Sequence, residues 1–268
     1  IDGTSGKVSL GEVFEYDSAS ERFTAHMQSQ GVFGMRNGLA AAMGVTPDKM
    51  HVLTTQVGGS FGMKGSVFPE YIALLHAARD LKRSIKFTEM RSESFVSDHQ
   101  GRDHDVDGEL ALDADGNILA LRMTGYANLG AYMTPFGVLI GAINIHRNAQ
   151  SVYRTPVIAT KVTCVLTNTP PIGAYRGAGR PEGNYVMERM IAEAARVSGI
   201  DEITLRKRNH IRPEELPFTT GVGSIYDSGE FSALLDAALD ASDYKGFGAR
   251  KAESLSRGKL RGIGVGDA

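Results

Sequence analysis

Two glycine-rich segments hold the residues whose types and spacing could do chemistry. The first is Gly58-Gly59-Ser60-Phe61-Gly62-Met63-Lys64 and the second is Gly173-Ala174-Tyr175-Arg176-Gly177-Ala178-Gly179-Arg180-Pro181-Glu182. Each reads as a strand end, a loop and then a helix. That order gathers unpaired backbone N–H groups ahead of a helix N-terminus, where oxyanions, phosphates or a metal-oxo group are favoured. Glycine allows backbone to approach a ligand closely and to take positive φ. Two such loops, one carrying Phe61 and one carrying Tyr175-Arg176, suit a bulky anionic cofactor. Tight turns with no ligand account for the glycines equally well.

Spacing excludes the common nucleotide loops. A phosphate-binding P-loop needs Gly-Lys-Ser/Thr, but Met63 precedes Lys64 and Gly65 follows it. A dinucleotide fingerprint needs Gly-x-Gly-x-x-Gly, and after Gly177 and Gly179 the next glycine is Gly183, one position late. Gly58-Gly59-Ser60-Phe61-Gly62 does match Gly-x-Ser-x-Gly, the elbow of a serine hydrolase. His76, His99, His104, His146 and His210 could serve such a nucleophile, so that reading stays open, as does a non-catalytic anion-binding domain. Asp103-His104-Asp105-Val106-Asp107-Gly108 imitates a calcium loop, but its twelfth position is Ala114, and the alternation fits a solvated strand. Asp98, His99 and His104 lack the i, i+4 spacing of a helical zinc site.

Composition narrows the class. With 42% hydrophobic and 22% charged residues in 268, the chain can bury a full core of one large or two small domains. A net charge of −2 argues against a nucleic-acid footprint. No apolar run approaches a membrane span, no secretory signal opens the chain, and a cytoplasmic location is the default. Cys164 is the sole cysteine, so the chain alone builds neither a disulfide framework nor an Fe–S cluster. Its apolar surroundings predict a buried, inert thiol. The start at Ile1 and the strand-like end at Gly262–Ala268 read as a piece of a longer polypeptide.

The elements that must position the loops follow from periodicity. Strands are expected at 12–16, 22–28, 50–56, 85–88, 106–112, 118–126 and 157–167. Helices are expected at 32–43, 67–81, 181–198, 202–208 and 231–241. Asp113-Ala114-Asp115-Gly116-Asn117 is a hairpin turn. The fold class is α+β, with mixed sheets and helices packed on them. The whole of 1–268 reads as one domain of a longer subunit, with a division into 10–100 and 101–260 open.

Taken together, Ser29-Gln30-Gly31, Val57 to Lys64, the Gly108–Gly116 hairpin, Ala174 to Glu182 and Tyr226-Asp227-Ser228-Gly229 resemble the molybdenum-binding large subunit of the xanthine dehydrogenase / aldehyde oxidase / carbon monoxide dehydrogenase family. The resemblance covers nearly the whole chain in family order. It implies the first molybdopterin-binding half of that subunit and a molybdenum–molybdopterin cofactor in its cytosine dinucleotide form. It further implies hydroxylation of an aldehyde or N-heterocycle with water-derived oxygen, and electron transfer to Fe–S and flavin partners. It assigns Gln30, Gly59, Ser60, Phe61, Gly62 and Arg176 to cofactor binding. The family's catalytic glutamate, in a Gly-x-Gly-Glu segment, is expected beyond Ala268. Gly221-Val222-Gly223-Ser224 only mimics that segment, so the chain alone is expected to be inactive and without cofactor.

Departures from the family pattern carry information as well. Gly177 stands where carbon monoxide dehydrogenases have a copper-binding cysteine. Gly65 and Asn144 stand where purine-oxidising members have substrate-binding Glu and Arg, and Ala178 replaces an aromatic that sandwiches the substrate.

Overall fold

A computed structural model describes residues 11–267. Two compact units divide the chain. One comprises Ile1–Asp103, Asn128–Val138 and Val165–Ala178; the other comprises His104–Ala127, Leu139–Cys164 and Gly179–Ala268.

The first unit is built on a four-stranded sheet: β1 (Glu12–Asp17), β2 (Arg22–His26), β3 (Met50–Leu53) and β4 (Ile85–Phe87), in the order β3-β2-β1-β4. β1 is antiparallel to β2 and β4, and β2 is parallel to β3. Alternation sends Phe14, Phe23, Ala25, Met50 and Val52 to one face. Helix α1 (Val32–Met43) covers them with Met35, Leu39 and Ala40, and α2 (Pro69–Leu81) with Leu75 and Ala78. Gly44 ends α1 in the left-handed conformation, and Pro69 opens α2 in the first turn, where it loses no hydrogen bond.

A short helix, α3 (Arg91–Ser97), has no counterpart in the apolar periodicity; the Glu93 carboxylate caps it by accepting the Met90 N–H at 2.7 Å. The strands expected to run to Gln28 and Gln56 stop at His26 and Leu53. After Met27 donates to the Leu53 carbonyl at 3.0 Å, the chain leaves the ladder and turns toward the first glycine segment.

A three-stranded sheet, β5 (His104–Leu112), β6 (Ile118–Gly130) and β7 (Val157–Leu166), in that order, lies in the second unit except for the ends of β6 from Asn128 and of β7 from Val165. β5 and β6 form the expected antiparallel hairpin. Asp113 shapes its turn, accepting N–H bonds from Asp115 at 3.0 Å and Asn117 at 2.8 Å. The stretch that imitates a calcium loop therefore lies in a paired strand.

A π-helical turn at Leu139–Asn144 leads into the short α4 (Ile145–Arg147). Helix α5 (Arg180–Ser198) buries Gly183, Met187, Ile191 and Ala195 at i, i+4 spacing, and Gly199 stops it. Its Met190 sulfur lies where a side chain at Gly108 of β5 would begin. Helix α6 (Glu202–Asn209), the ribbon β8 (Phe218–Thr219) and β9 (Ile225–Tyr226), then α7 (Phe231–Ala241) and α8 (Phe247–Ser256) complete the unit. The core joins Leu121, Met123, Met187, Ile191 and Leu205.

Two local expectations are corrected here. Cys164 is half-buried rather than buried, because β7 alternates exposed and partly covered positions; partial burial still raises its thiol pKa. The stretch from Gly262 forms no strand among the described residues. Arg206 and His210 hold it instead, through the Val265 carbonyl at 3.0 Å and the Asp267 carboxylate at 2.9 Å.

Candidate cofactor site

Ser29, Gln30 and Gly31 form the bend between β2 and α1. Ser29 is buried and shares a 2.7 Å hydrogen bond with Thr54 Oγ1, which itself donates to the Met27 carbonyl at 3.0 Å. Those bonds pin the bend beside the exit of β3. Gln30 is then held at both ends. Its N–H donates to the Lys64 carbonyl at 2.9 Å, and its Oε1 accepts the Gly62 N–H at 3.0 Å. An N–H must meet the oxygen of a carboxamide, so this bond fixes which way the amide points. The NH2 of Gln30 is turned away from Gly62.

The first glycine loop is left-handed at Gly58, Gly59, Phe61 and Gly62, with φ of 66°, 101°, 52° and 105°. A non-glycine residue at positive φ is uncommon, and at Phe61 it leaves the ring 53% exposed. Gly62 has no alternative residue: a Cβ there would lie 2.4 Å from the Ala174 carbonyl oxygen of the second segment. The loop enters a single 3₁₀ turn at Met63–Gly65, not the expected helix, which begins at Pro69.

The second segment is threaded between two others. Gln100 donates to the Pro171 carbonyl and Gly173 to the Gln100 carbonyl, both at 3.0 Å, and Ile172 donates to Leu129 at 3.1 Å. Arg102 lies over the Tyr175 ring at 4.6 Å and donates to the Arg176 carbonyl. The Arg176 guanidinium lies over the Phe61 ring at 4.7 Å. The first unit thus brings together Gln30, Gly62, Phe61 and Arg176, with Gly59 packed against the Phe61 ring.

Sequence reasoning did not single out Arg102 or the part played by Lys64. No spacing rule connects Arg102 to a carbonyl 74 positions away.

A buried carboxylate stands behind this loop. Glu12 is 8% exposed, and burial pushes its pKa from 4.5 to about 7, against the opposing pull of the Gln28 N–H, Tyr71 and Lys64. Burial lowers the Lys64 ammonium, and Glu12 opposes that shift.

The arrangement offers a fixed carboxamide whose NH2 is turned away from Gly62, and a ring-stacked guanidinium beside a left-handed glycine loop. That donor set fits an oxyanion-bearing cofactor. It does not fit the hydrolase elbow, because Ser60 lies between β3, which ends at Leu53, and a 3₁₀ turn rather than at a strand-to-helix corner. Among the described residues, no group of three His, Cys, Asp or Glu side chains could hold a metal ion.

Residues 11–210 match the family model of the molybdopterin cofactor-binding domain. The chain belongs to that family. This molybdopterin-binding domain is 33% identical over 264 residues to the carbon monoxide dehydrogenase large chain of Hydrogenophaga pseudoflava, covering 95% of this chain and 32% of the relative. It is 34% identical over 216 residues to the gamma subunit of the 6-hydroxypseudooxynicotine dehydrogenase complex of Paenarthrobacter nicotinovorans, covering 79% and 27%. The crystal structure of quinoline 2-oxidoreductase from Pseudomonas putida 86 superimposes with a TM-score of 0.85 at 29% identity, over 93% of this chain and 32% of that one. The molybdopterin-binding domain therefore spans about a third of the length of these relatives. The α+β fold class and the resemblance to molybdenum-binding large subunits both hold. Among the described residues, no helix is long and apolar enough to cross a membrane.

Proposed function

We propose that this chain forms the molybdenum-facing half of a molybdenum hydroxylase large subunit. The full enzyme would oxidise an aldehyde or N-heterocycle with water-derived oxygen and pass electrons to Fe–S and flavin partners in the cytoplasm. The observation that carries the reading is the meeting of Gln30 with Gly62 and of Phe61 with Arg176, residues drawn from three separate sequence segments.

The cofactor, in its cytosine dinucleotide form, supplies the two-electron oxidising centre that the protein lacks. Gln30 presents its NH2 as donor toward it. Gly59, Ser60 and Phe61 would present backbone, Gly62 holds the Gln30 carboxamide in place, and Phe61 would exclude water from one side. Arg176 would add positive charge near the atom that turns anionic, the carbonyl oxygen of an aldehyde or the ring nitrogen of a heterocycle. None of these residues is a general base, so their part would be to bind, orient and polarise rather than to abstract the proton.

The substrate class follows from the departures. Gly177 offers no thiolate for copper, which a carbon monoxide site requires. Gly65 supplies no carboxylate where the purine-oxidising pattern has one, and the Gln30 Oε1 at 3.9 Å and a Phe136 ring carbon at 4.0 Å lie near its missing side chain. An apolar N-heterocycle or aldehyde suits that surface, and quinoline is an N-heterocycle.

The test is dye reduction by the full-length enzyme with its partners, offered quinoline, benzaldehyde, xanthine and carbon monoxide. Turnover of quinoline or benzaldehyde and of neither other substrate is the expected result. Turnover of carbon monoxide with copper present, or the absence of molybdenum from the purified complex, overturns it.

A further inference from the structure

Lys64 fastens both ends of the first glycine loop. Its carbonyl accepts the Gln30 N–H at 2.9 Å, at the loop's exit. Its ammonium donates to the Val57 carbonyl at the loop's entry and to Gln28 Oε1. Between those points the loop rests on the Gln30 carboxamide at Gly62 and under the Arg176 guanidinium at Phe61, and has few backbone bonds of its own. Only Met63 to Ser60 at 3.0 Å and Gly65 to Gly62 at 3.3 Å close hydrogen bonds within it, while four residues keep positive φ. Backbone in that region persists only where its surroundings over-determine it.

The lysine is half-buried, and its ammonium finds two acceptors on either side of it, the Gln28 side chain and the Val57 carbonyl. A lysine half-withdrawn from water loses hydration, and it keeps its place only with such partners. Releasing its ammonium frees Val57. Gly58 to Gly62 can then rotate, and the Gln30 carboxamide moves with them because it rests on the Gly62 N–H.

We propose that Lys64 is a positioning residue: its ammonium sets where Phe61, Gly62 and the Gln30 carboxamide stand, without touching any reacting atom. The inference rests on the reading of this loop as cofactor-facing, and the experiment separates the two.

Lys64→Met, Lys64→Arg, Gln28→Leu and Gln30→Ala are made in the full-length enzyme with its partner subunits. Molybdenum is counted per subunit, and the Mo(V) electron paramagnetic resonance spectrum is recorded after partial reduction with dithionite. Amide exchange of the peptide 57–65 is followed in parallel. Lys64→Met is expected to shift the spectrum and to lose protection at 58–62. Lys64→Arg, which keeps the charge and donors, is expected to restore both. A Lys64→Met spectrum and exchange pattern identical to wild type overturns the proposal, as does an arginine variant as altered as the methionine one. If Lys64→Met does not assemble, Gln28→Leu decides, because it removes one acceptor and leaves the ammonium: a shifted spectrum supports the proposal and a wild-type one overturns it. Gln30→Ala with wild-type molybdenum content and spectrum sinks the cofactor-facing reading itself. A shift for Gln30→Ala with none for Lys64→Met sinks only the role of Lys64.

Discussion

Gln30 and Gly62 are 32 positions apart, yet the Gly62 N–H donates to Gln30 Oε1 at 3.0 Å. The bond ties the bend before α1 to the first glycine loop and orients a carboxamide that is otherwise exposed. Under the proposed function, Gln30→Ala in the full-length enzyme removes one donor to the cofactor and the brace under Gly62 together. Losses of support around a metal group typically reach about 10–100-fold in affinity or activity. Molybdenum per subunit and turnover should fall within that range. Wild-type values for both would remove Gln30 from the site.

Gly62 is required by space as well as by φ. A Cβ there meets the Ala174 carbonyl oxygen at 2.4 Å, and backbone atoms cannot swing away as a side-chain tip can. Gly62→Ala should cost at least roughly 1–3 kcal/mol from backbone strain. Gly34 in α1 is the control, with nothing within 4 Å of its missing Cβ. Gly34→Ala should stabilise by about 0.5–1 kcal/mol, as alanine does within a helix. Denaturant midpoints that shift alike for the two variants would show that the contact between the glycine segments is not tight.

How much of this is legible without coordinates depends on the interaction that builds each part. Helices α1 and α7 are legible to the residue, because an apolar stripe marks both and Gly44 stops α1. Helix α3 is not, since Arg91-Ser92-Glu93-Ser94-Phe95-Val96-Ser97 has no apolar period and leaves Phe95 and Val96 exposed; its cap is a local hydrogen bond. The glycine segments are legible as loops, because glycine encodes backbone freedom. Their contact is not, because it depends on where the sheet delivers each chain end. The ammonium of Lys64 and the guanidinium of Arg102 bind carbonyls, and a carbonyl has no signature in sequence.

The second unit carries a buried ion network with its own consequence. Arg206, 1% exposed, donates to Glu188 Oε2 at 3.0 Å, and Glu188 Oε1 accepts from Tyr153 at 2.6 Å. Removing one partner of a buried pair strands the other, at a cost of about 3–5 kcal/mol. Arg206→Met should therefore destabilise strongly, while Arg206→Met combined with Glu188→Leu should recover part of the loss. Unfolding in denaturant measures both, and a double variant as weak as Arg206→Met alone would show that Glu188 is not the stranded group.

Glu12 gives the protein a pH dependence whose sign can be worked out. Its carboxyl is raised from 4.5 to about 7, chiefly by burial. As pH rises from 4.5 toward 7, the unfolded chain releases this proton while the native one keeps it. Stability from Glu12 is therefore fully present below pH 4.5 and is lost as pH rises through 7. The shift corresponds to roughly 3 kcal/mol at most. Asp98, also raised by burial, adds to this slope, and His99, lowered by burial, opposes it, so the comparison must isolate Glu12. Glu12→Gln keeps the shape of the protonated form and cannot ionise. Unfolding free energies from pH 5 to 8 should fall more steeply for wild type than for Glu12→Gln. Parallel curves would mean that Glu12 is already ionised in the native protein across this range, paired with Lys64 as a salt bridge.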